Sequence, residues 1–209
     1  KLSNNVGYVS EGIGKGIATA LAKRGSLVYL VARTEDKLER ARDEIIKQTG
    51  NQGVEYRVGD VTLFQRMREI IDEVYSINGK LDIFVNNAGT WKYQSTETPF
   101  DEIWNLIQFL AKPAFEITKY LINKFENNLN NNLKVLTVAS QASLEIMPGN
   151  LGYNPGKILL ASSLFSLQGE IERKGIKNIQ LYRLYPNTVT TEKYMHAIKE
   201  KKLENPTSL

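Results

Sequence analysis

The sequence predicts an α/β fold in which a doubly wound parallel β-sheet lies between two layers of helices, giving three layers, α/β/α. Short apolar runs rich in β-branched residues alternate with longer amphipathic runs, which is typical of successive strand-helix units in a parallel sheet. A glycine-rich segment, Glu11-Gly12-Ile13-Gly14-Lys15-Gly16, joins the first apolar run to the first amphipathic run. In such a fold we expect ligands at the carboxyl ends of the strands.

Strands and helices are predicted in strict alternation along the chain. The strands are Val6 to Val9, Leu27 to Ala32, Val54 to Val58, Leu81 to Val85, Leu133 to Ala139 and Ile179 to Leu184. The helices are Gly14 to Lys23, Glu35 to Thr49, Leu63 to Ile77, Phe100 to Asn127, Tyr153 to Lys174 and Glu192 to Lys202. The asparagine-rich stretch Asn127 to Asn132 is expected to be a solvated connector. No repeat or linker divides the sequence, so we expect residues 1–209 to form one domain.

Composition argues against several classes of function. The chain has no cysteine and one histidine, His196, so we expect neither disulfides nor a metal site. The net charge of +4 is small and dispersed, which gives little support to nucleic-acid binding. The sequence has no apolar run of membrane-spanning length and no signal-peptide pattern at its start. A cytoplasmic protein without a membrane or nucleic-acid partner is therefore expected.

Tyr153 and Lys157 lie four residues apart, and Tyr153 stands thirteen residues after Ser140. Residues four apart on a helix share a face, so the Lys157 ammonium can stabilise the Tyr153 phenolate and prepare the phenol for acid/base chemistry. Ser140 ends an apolar strand, where its hydroxyl can hydrogen-bond a substrate oxygen while a hydride moves. The Tyr-Lys spacing alone is a weak signal, because two residue types at one spacing recur by chance in many helices.

The upstream motifs give this spacing its weight. With the glycine-rich turn and Asn86-Asn87-Ala88-Gly89 after the fourth strand, Ser140, Tyr153 and Lys157 resemble the short-chain dehydrogenase/reductase family over nearly the whole chain. The resemblance implies a Rossmann-type fold and a single dinucleotide-binding and catalytic domain. By resemblance Tyr153 is the acid/base, Lys157 anchors the nicotinamide ribose and Ser140 orients the substrate carbonyl. The implied activity is NADP-dependent interconversion of a secondary alcohol and a ketone.

The resemblance also places cofactor contacts along the strand ends. A basic residue after the second strand suits the 2′-phosphate of NADP, so Arg33, with Thr34 as a second donor, favours NADP, and NAD is the alternative. Glu11 counts mildly against NADP. The other expected contacts are Gly12, Ile13, Gly14, Asp60, Val61, Asn87, Ala88, Gly89, Tyr153, Lys157, Pro186, Val189 and Thr191. Asp60 would bond the adenine amino group, although it can equally be the N-cap of the helix predicted from Leu63.

The sequence departs from the family pattern near both of its ends. Tyr8 stands where the family has its first glycine, and only Ser10 and Glu11 join the first predicted strand to Gly12. Either this departure is genuine and weakens pyrophosphate binding, or loop residues are absent from this sequence, which is the explanation we favour. The chain also stops at Leu209 without the family's seventh strand, so we expect a truncated or incomplete C-terminal end.

A third departure lies in the fourth helix, where the family has an asparagine that holds a proton-relay water. Leu110 falls at this position, five residues before Phe115. The relay is then absent, replaced by a neighbour such as Asn105 or Gln108, or obscured by a residue absent from this sequence. Leu110 and the unusual glycine turn motivate an alternative function, a catalytically impaired dinucleotide-binding sensor or scaffold. Enoyl-thioester reduction is disfavoured, because it usually has six residues between tyrosine and lysine.

Substrate and assembly are the least determined by these motifs. Five apolar or aromatic side chains are expected on the substrate side and favour an apolar or acyl-chain ketone over a sugar; they are Trp91, Tyr93, Ile146, Met147 and Tyr185. The fourth and fifth predicted helices carry apolar residues on more than one face, which indicates a second buried surface. By resemblance these two helices form a four-helix interface between subunits, so we expect a homodimer or homotetramer.

Overall fold

The structure, a computed structural model, describes residues 4–8 and 12–189 and confirms the three-layer Rossmann-type architecture. The strands are β1 (Asn4–Tyr8), β2 (Leu27–Ala32), β3 (Val54–Val58), β4 (Ile83–Asn86), β5 (Leu133–Val138) and β6 (Ile179–Leu184). The helices are α1 (Gly12–Ala22), α2 (Glu35–Thr49), α3 (Phe64–Asn78), α4 (Phe100–Phe125) and α5 (Tyr153–Arg173). The predicted helix Glu192 to Lys202 lies outside the described residues.

The six strands form one parallel sheet in the order β3-β2-β1-β4-β5-β6. The chain winds outward from β1 to β3 and then returns to pair β4 with β1. The strand order therefore reverses between β1 and β4, and a doubly wound sheet binds its ligand in the crevice at this switch point.

Helices cover both faces of the sheet because side chains of opposite faces alternate along each strand. On β2, Val28 and Leu30 belong to the core under α1 and α2, which includes Leu38 and Ile45. Tyr29 and Val31 belong to the larger core on the other face. That core includes residues of α3, α4 and α5, namely Ile70, Ile71, Ile117, Leu121, Leu164 and Ile171. In the described part of the chain, no helix is both long and apolar enough to span a bilayer.

The boundaries of the described elements differ from the sequence prediction by at most two residues, and β4 shows why a boundary shifts. The apolar run begins at Leu81, but the ladder begins at Ile83. The Asn131 side chain accepts from the Leu81 amide at 2.8 Å and donates to the Leu81 carbonyl at 2.9 Å. These bonds satisfy the Leu81 backbone outside the sheet. Asn131 is therefore buried, and the expectation that this asparagine-rich connector is solvated throughout was wrong at that residue.

The contact between α4 and α5 is close because Gly156 has no side chain. A β-carbon at Gly156 would lie 2.8 Å from Leu110 Cδ1 and 3.2 Å from the backbone Cα of Ile107. Both distances are shorter than ordinary van der Waals contacts. The close approach seats the first turn of α5 against the middle of α4 and fixes the position of the next residue, Lys157.

Candidate active site

Ser140 lies two residues after the end of β5 in an extended conformation, with φ −168° and ψ 156°. Its Oγ accepts a hydrogen bond from the Ala142 amide at 3.1 Å and caps a short 3-10 helix, Gln141–Ser143. A serine hydroxyl is both a donor and an acceptor. Because the backbone amide uses an acceptor position, the Ser140 proton stays free to point to a substrate oxygen.

The helix α5 begins at Tyr153, as Pro155 in its first turn predicts. Asn154 ties this start to the segment after β5, because its side-chain amide donates to the carbonyls of Ala142 at 2.9 Å and Glu145 at 2.6 Å. Sequence reasoning missed Asn154, although an asparagine inside a first helical turn is a signal for such side-chain to backbone bonding. The bonds hold the turn that carries Tyr153 beside the segment that carries Ser140.

Lys157 lies one turn into α5 and is 4 % exposed. Its Nζ lies 5.9 Å from the centroid of the Tyr153 ring, so the tyrosine and lysine share a helix face as predicted. Among the described residues its one hydrogen-bond acceptor is the Val138 carbonyl, at 3.1 Å. Burial lowers the pKa of Lys157 from 10.5 to about 8. An ammonium has three protons, so two remain for a ligand.

The end of β4 forms the neighbouring wall of the crevice. A β-carbon at Gly89 would lie 3.6 Å from Lys157 Nζ, so a side chain there would occupy the space over the ammonium. Asn86 is buried and donates to Thr118 Oγ1 at 3.1 Å and to Thr137 Oγ1 at 3.2 Å. The first asparagine of the Asn-Asn-Ala-Gly motif thus ties β4 to α4 and β5, while Asn87 and Ala88 follow it, half-buried.

The ends of β2 and β3 form the opposite, solvent-facing part of the edge. Arg33 and Thr34 are exposed directly after β2. Asp60 follows β3, and its Oδ1 accepts from the Thr62 amide at 2.8 Å and from Thr62 Oγ1 at 2.7 Å. Burial by itself raises the pKa of Asp60, but these hydrogen bonds and the charge of Arg33 outweigh it and lower the pKa below 3.8. Val61, the expected adenine contact, is 9 % exposed.

The alternative in which Asp60 is the N-cap of α3 is not observed. The helix begins at Phe64, and its N-cap residue is Leu63, which makes no side-chain capping bond. Asp60 instead closes a local turn with Thr62. Its second carboxylate oxygen is therefore not engaged in a helix cap, which keeps Asp60 a candidate contact for the adenine amino group.

The remaining predicted cofactor residues lie at both ends of the described chain. Gly12 has φ 63°, a left-handed conformation that favours glycine, and opens α1 together with Ile13 and buried Gly14. The Pro186 carbonyl accepts from the Gln141 amide at 3.0 Å, which ties the end of β6 to the residue after Ser140. Val189 is exposed. Thr191 lies outside the described residues, as do Ser10 and Glu11 of the connection before Gly12.

Leu110 is 1 % exposed, packs against Gly156 and lies near Gly89, so it is a neighbour of Lys157. The side chains proposed as replacements for the relay asparagine, Asn105 and Gln108, are both exposed. Neither can therefore lie beside the buried ammonium. Leucine has no polar atom, so the interior on the α4 side of Lys157 carries no side-chain relay from this position.

The loops after β4 and β5 are joined above the site. The Gln94 amide donates to the Gly149 carbonyl at 2.9 Å, and Trp91 Nε1 donates to Asn150 Oδ1 at 2.5 Å. A β-carbon on Gly149 would lie 2.5 Å from the Tyr93 ring, so this glycine lets the ring pack closely against the second loop. Several exposed apolar side chains surround this junction; they are Trp91, Tyr93, Leu144, Ile146, Met147 and Leu151.

Comparison with known proteins shows the family to which the chain belongs. Residues 7–202 match the short chain dehydrogenase family model. A hydroxynaphthalene reductase-like protein, Arp2 of Metarhizium anisopliae (strain ARSEF 549), is 30 % identical over 197 residues, covering 88 % of this chain and 67 % of that protein. The chain belongs to the short-chain dehydrogenase/reductase family and is an NAD(P)-dependent oxidoreductase acting on CH-OH groups.

Two solved structures illustrate the likeness in fold. The alcohol dehydrogenase of the archaeon Thermococcus sibiricus, solved with 5-hydroxy-NADP, is 25 % identical with a TM-score of 0.78; the match covers 90 % of this chain and 77 % of that one. The 3-ketoacyl-(acyl-carrier-protein) reductase of Brucella melitensis, solved with NADH, is 25 % identical with a TM-score of 0.79, covering 91 % and 77 %.

Proposed function

We propose that this protein interconverts a secondary alcohol and a ketone by hydride transfer at a site formed by Ser140, Tyr153 and Lys157. The observation that carries the proposal is the buried Lys157 ammonium beside the Tyr153 ring, on the helix that Asn154 bonds to the segment after Ser140. A buried cation on the same helix face as a phenol can stabilise the charge that proton transfer leaves on the phenol oxygen.

The chain's residues divide the chemistry among them. The nicotinamide cofactor supplies or accepts the hydride. In the reduction direction, the Tyr153 hydroxyl donates its proton to the developing alkoxide, while the Ser140 hydroxyl hydrogen-bonds the same oxygen. Lys157 stabilises the phenolate left on Tyr153, and its two remaining protons fit the ribose hydroxyls. Glycine at position 89 leaves the space over the ammonium open for that ribose.

NADP is the proposed cofactor, with NAD as the alternative. The support is the charge at the end of β2, where Arg33 and Thr34 are exposed and can contact a 2′-phosphate. Arg33 also lies close enough to Asp60 to lower the pKa of that carboxyl, and this proximity supports a shared role of both side chains in holding the adenosine. The two similar structures were solved with 5-hydroxy-NADP and with NADH, so both cofactors occur among relatives of this fold.

The proposed substrate is an apolar or acyl-chain ketone, or the corresponding alcohol. Trp91, Tyr93, Ile146 and Met147 are exposed around the loop junction that lies on the substrate side by resemblance. Aromatic rings and aliphatic chains favour apolar ligands because burying them removes apolar surface from water. Tyr185, half-buried after β6, is the fifth side chain of this group.

A homodimer, or a homotetramer built from it, is part of the proposal. Exposed apolar side chains lie on the outer surfaces of α4 and α5, among them Phe115, Ile158, Leu159 and Phe165. Burying this surface against a second copy would remove it from water. Sedimentation equilibrium at micromolar concentration should show a dimer or tetramer, and a strictly monomeric intact protein would contradict the interface.

The second candidate is a dinucleotide-binding sensor or scaffold with impaired catalysis, which the buried Leu110 favours. Fluorescence titration with NADPH and NADH, followed by a screen of apolar and acyl-chain ketones, separates the two functions. Tight NADPH binding with turnover of a ketone supports the oxidoreductase. NADPH binding without turnover of any ketone in the screen, while a known ketoreductase is active under the same conditions, supports the sensor.

A further inference from the structure

The side of Lys157 that faces α4 is apolar in this chain. A β-carbon built on Gly89 would lie 3.6 Å from Lys157 Nζ and 3.8 Å from Leu110 Cδ2. The ammonium and the leucine methyl group therefore border the same point of the crevice. On its other side Leu110 contacts Gly156, the residue before Lys157, and the leucine is 1 % exposed.

The other elements around the ammonium offer it few partners among the described residues. From β5 it has the Val138 carbonyl, at 3.1 Å. From its own helix the neighbouring titratable group is Tyr153, whose ring centroid lies 5.9 Å away. The segment after β4 presents Gly89, and α4 presents Leu110. Burial is the cause of the lowered pKa of Lys157, with no charged side chain contributing to it.

We propose that Leu110 is a positioning residue that keeps the Lys157 ammonium without a polar partner on the α4 side, so that NADPH binding is coupled to protonation of Lys157. This inference rests on the proposed function, because it requires the cofactor ribose to lie over Lys157. An asparagine at position 110 would instead offer the ammonium an acceptor, directly or through water.

The sign of the coupling follows from the two states of the lysine. In the free protein burial lowers the pKa of Lys157 to about 8, so a fraction of the molecules are neutral at pH 8.5. Ribose hydroxyls that accept hydrogen bonds from the ammonium favour the charged form and raise its pKa. Binding then takes up a proton between the two pKa values. Affinity for NADPH is highest below about pH 8 and falls, by up to about tenfold per pH unit, as the pH rises above it.

The experiment is calorimetric titration of NADPH into the intact protein at pH 8.5, in two buffers of different ionisation enthalpy. The difference in heat gives the number of protons taken up per NADPH. At this pH the 2′-phosphate contributes little, because the second pKa of a phosphate monoester is about 6. We expect the wild type to take up about half a proton or more, and Lys157→Met to take up none.

Variants at position 110 test the leucine itself. Leu110→Asn gives the ammonium of the free protein a partner, so proton uptake at pH 8.5 should fall to less than about half of the wild-type value. Leu110→Met is the matched control, because it keeps the volume and the apolar surroundings, and its uptake should equal that of the wild type. Leu110→Thr introduces a smaller polar group and serves as a second test if the asparagine variant does not fold.

Each outcome bears on a different statement. Equal uptake by the wild type and the folded polar variants overturns the role of Leu110. Undiminished uptake by Lys157→Met overturns the assignment of the proton to Lys157, and NADPH binding without proton uptake overturns the coupling, while both leave the proposed oxidoreductase intact. Failure of the wild type to bind NADPH or NADH contradicts the proposed function and this inference together.

Discussion

The edge of the sheet has two contrasting ends, the β5–α5 end and the β2–β3 end. At the β5–α5 end the candidate catalytic residues are buried or half-buried, and Asn154 and Ser143 bond the helix to the segment after β5. At the β2–β3 end Arg33 and Thr34 are exposed, and the structure shows a local turn from Asp60 to Thr62. Proton transfer needs fixed geometry and little water, whereas recognition of a phosphate needs a charge within reach.

The difference also has an energetic side. A buried ammonium destabilises the folded protein unless it is fully partnered, so the β5–α5 end loses stability in order to hold Lys157 near the reacting groups. An exposed arginine has no such penalty, since water solvates it. Substitutions at the two ends should therefore differ in kind: at one end they change rate and stability, and at the other they change cofactor preference.

The largest effect is expected from Tyr153→Phe, which removes the proposed proton donor and leaves the ring. Turnover should fall by at least about a hundredfold, while NADPH affinity changes little. Steady-state kinetics with the best ketone of the screen and fluorescence titration with NADPH measure the two quantities. Near wild-type turnover would show that the phenol is not the acid, and a parallel loss of NADPH binding would show that the ring is chiefly structural.

Lys157→Met should stabilise the cofactor-free protein. Burial lowers the pKa of Lys157 to about 8 from 10.5, and this difference corresponds to about 3 kcal/mol of stability lost at neutral pH. Because the folded pKa lies below the unfolded pKa, the loss is complete below pH 8 and is recovered as the pH rises from 8 to 10.5. Urea denaturation from pH 7 to 10 should give the variant a higher free energy of unfolding than the wild type at pH 7. This difference should become smaller above pH 8.

The exposed Lys119 on α4 provides the control for this measurement. Lys119→Met removes the same charge without changing a buried group. Its free energy of unfolding should therefore differ from that of the wild type by a nearly constant amount across that pH range. If the free energies of unfolding of Lys157→Met and the wild type also differ by a constant amount across this pH range, the buried ammonium does not destabilise the fold.

The sequence predicts the start of α5 and the shared face of Tyr153 and Lys157 correctly, because these features depend on residues that are close together in the chain. The spacing of Tyr153 and Lys157 depends on helix geometry alone, and Pro155 marks the helix start that the structure shows. The side-chain bonds that hold this end, and those that hold the start of β4, were missed. Asn154, Asn86 and Asn131 bond to partners 9 to 51 residues away, and a single sequence does not show which asparagine meets which carbonyl or hydroxyl after folding.

Gly156→Ala tests how rigid the β5–α5 end is. A methyl group there would meet Leu110 Cδ1 at 2.8 Å and the Ile107 backbone at 3.2 Å, and such overpacking costs about 2 kcal/mol of stability. Gly169→Ala in the same helix is the matched control, because nothing lies within 4 Å of its added methyl group. The control should be neutral or stabilising by up to about 1 kcal/mol. Equal melting temperatures of the two variants would show that the α4–α5 contact relaxes easily.

The smallest effect is expected at the β2–β3 end, from Arg33→Asp. The substitution replaces a partner of the 2′-phosphate with a carboxylate that repels it, and it places an acceptor near the 2′-hydroxyl position of NADH. The ratio of NADPH to NADH affinity should fall by about tenfold or more.

Fluorescence titration with both cofactors measures this ratio, and the melting temperature should change little, since Arg33 is exposed. Arg33→Gln is the matched control, because it removes the positive charge without adding a negative one. Its ratio of NADPH to NADH affinity should lie between the ratios of the wild type and Arg33→Asp. An unchanged ratio in both variants would assign cofactor choice elsewhere on this edge. A large loss of stability would instead show that the β2–β3 end holds the fold together as the β5–α5 end does, and the contrast between the two ends would fail.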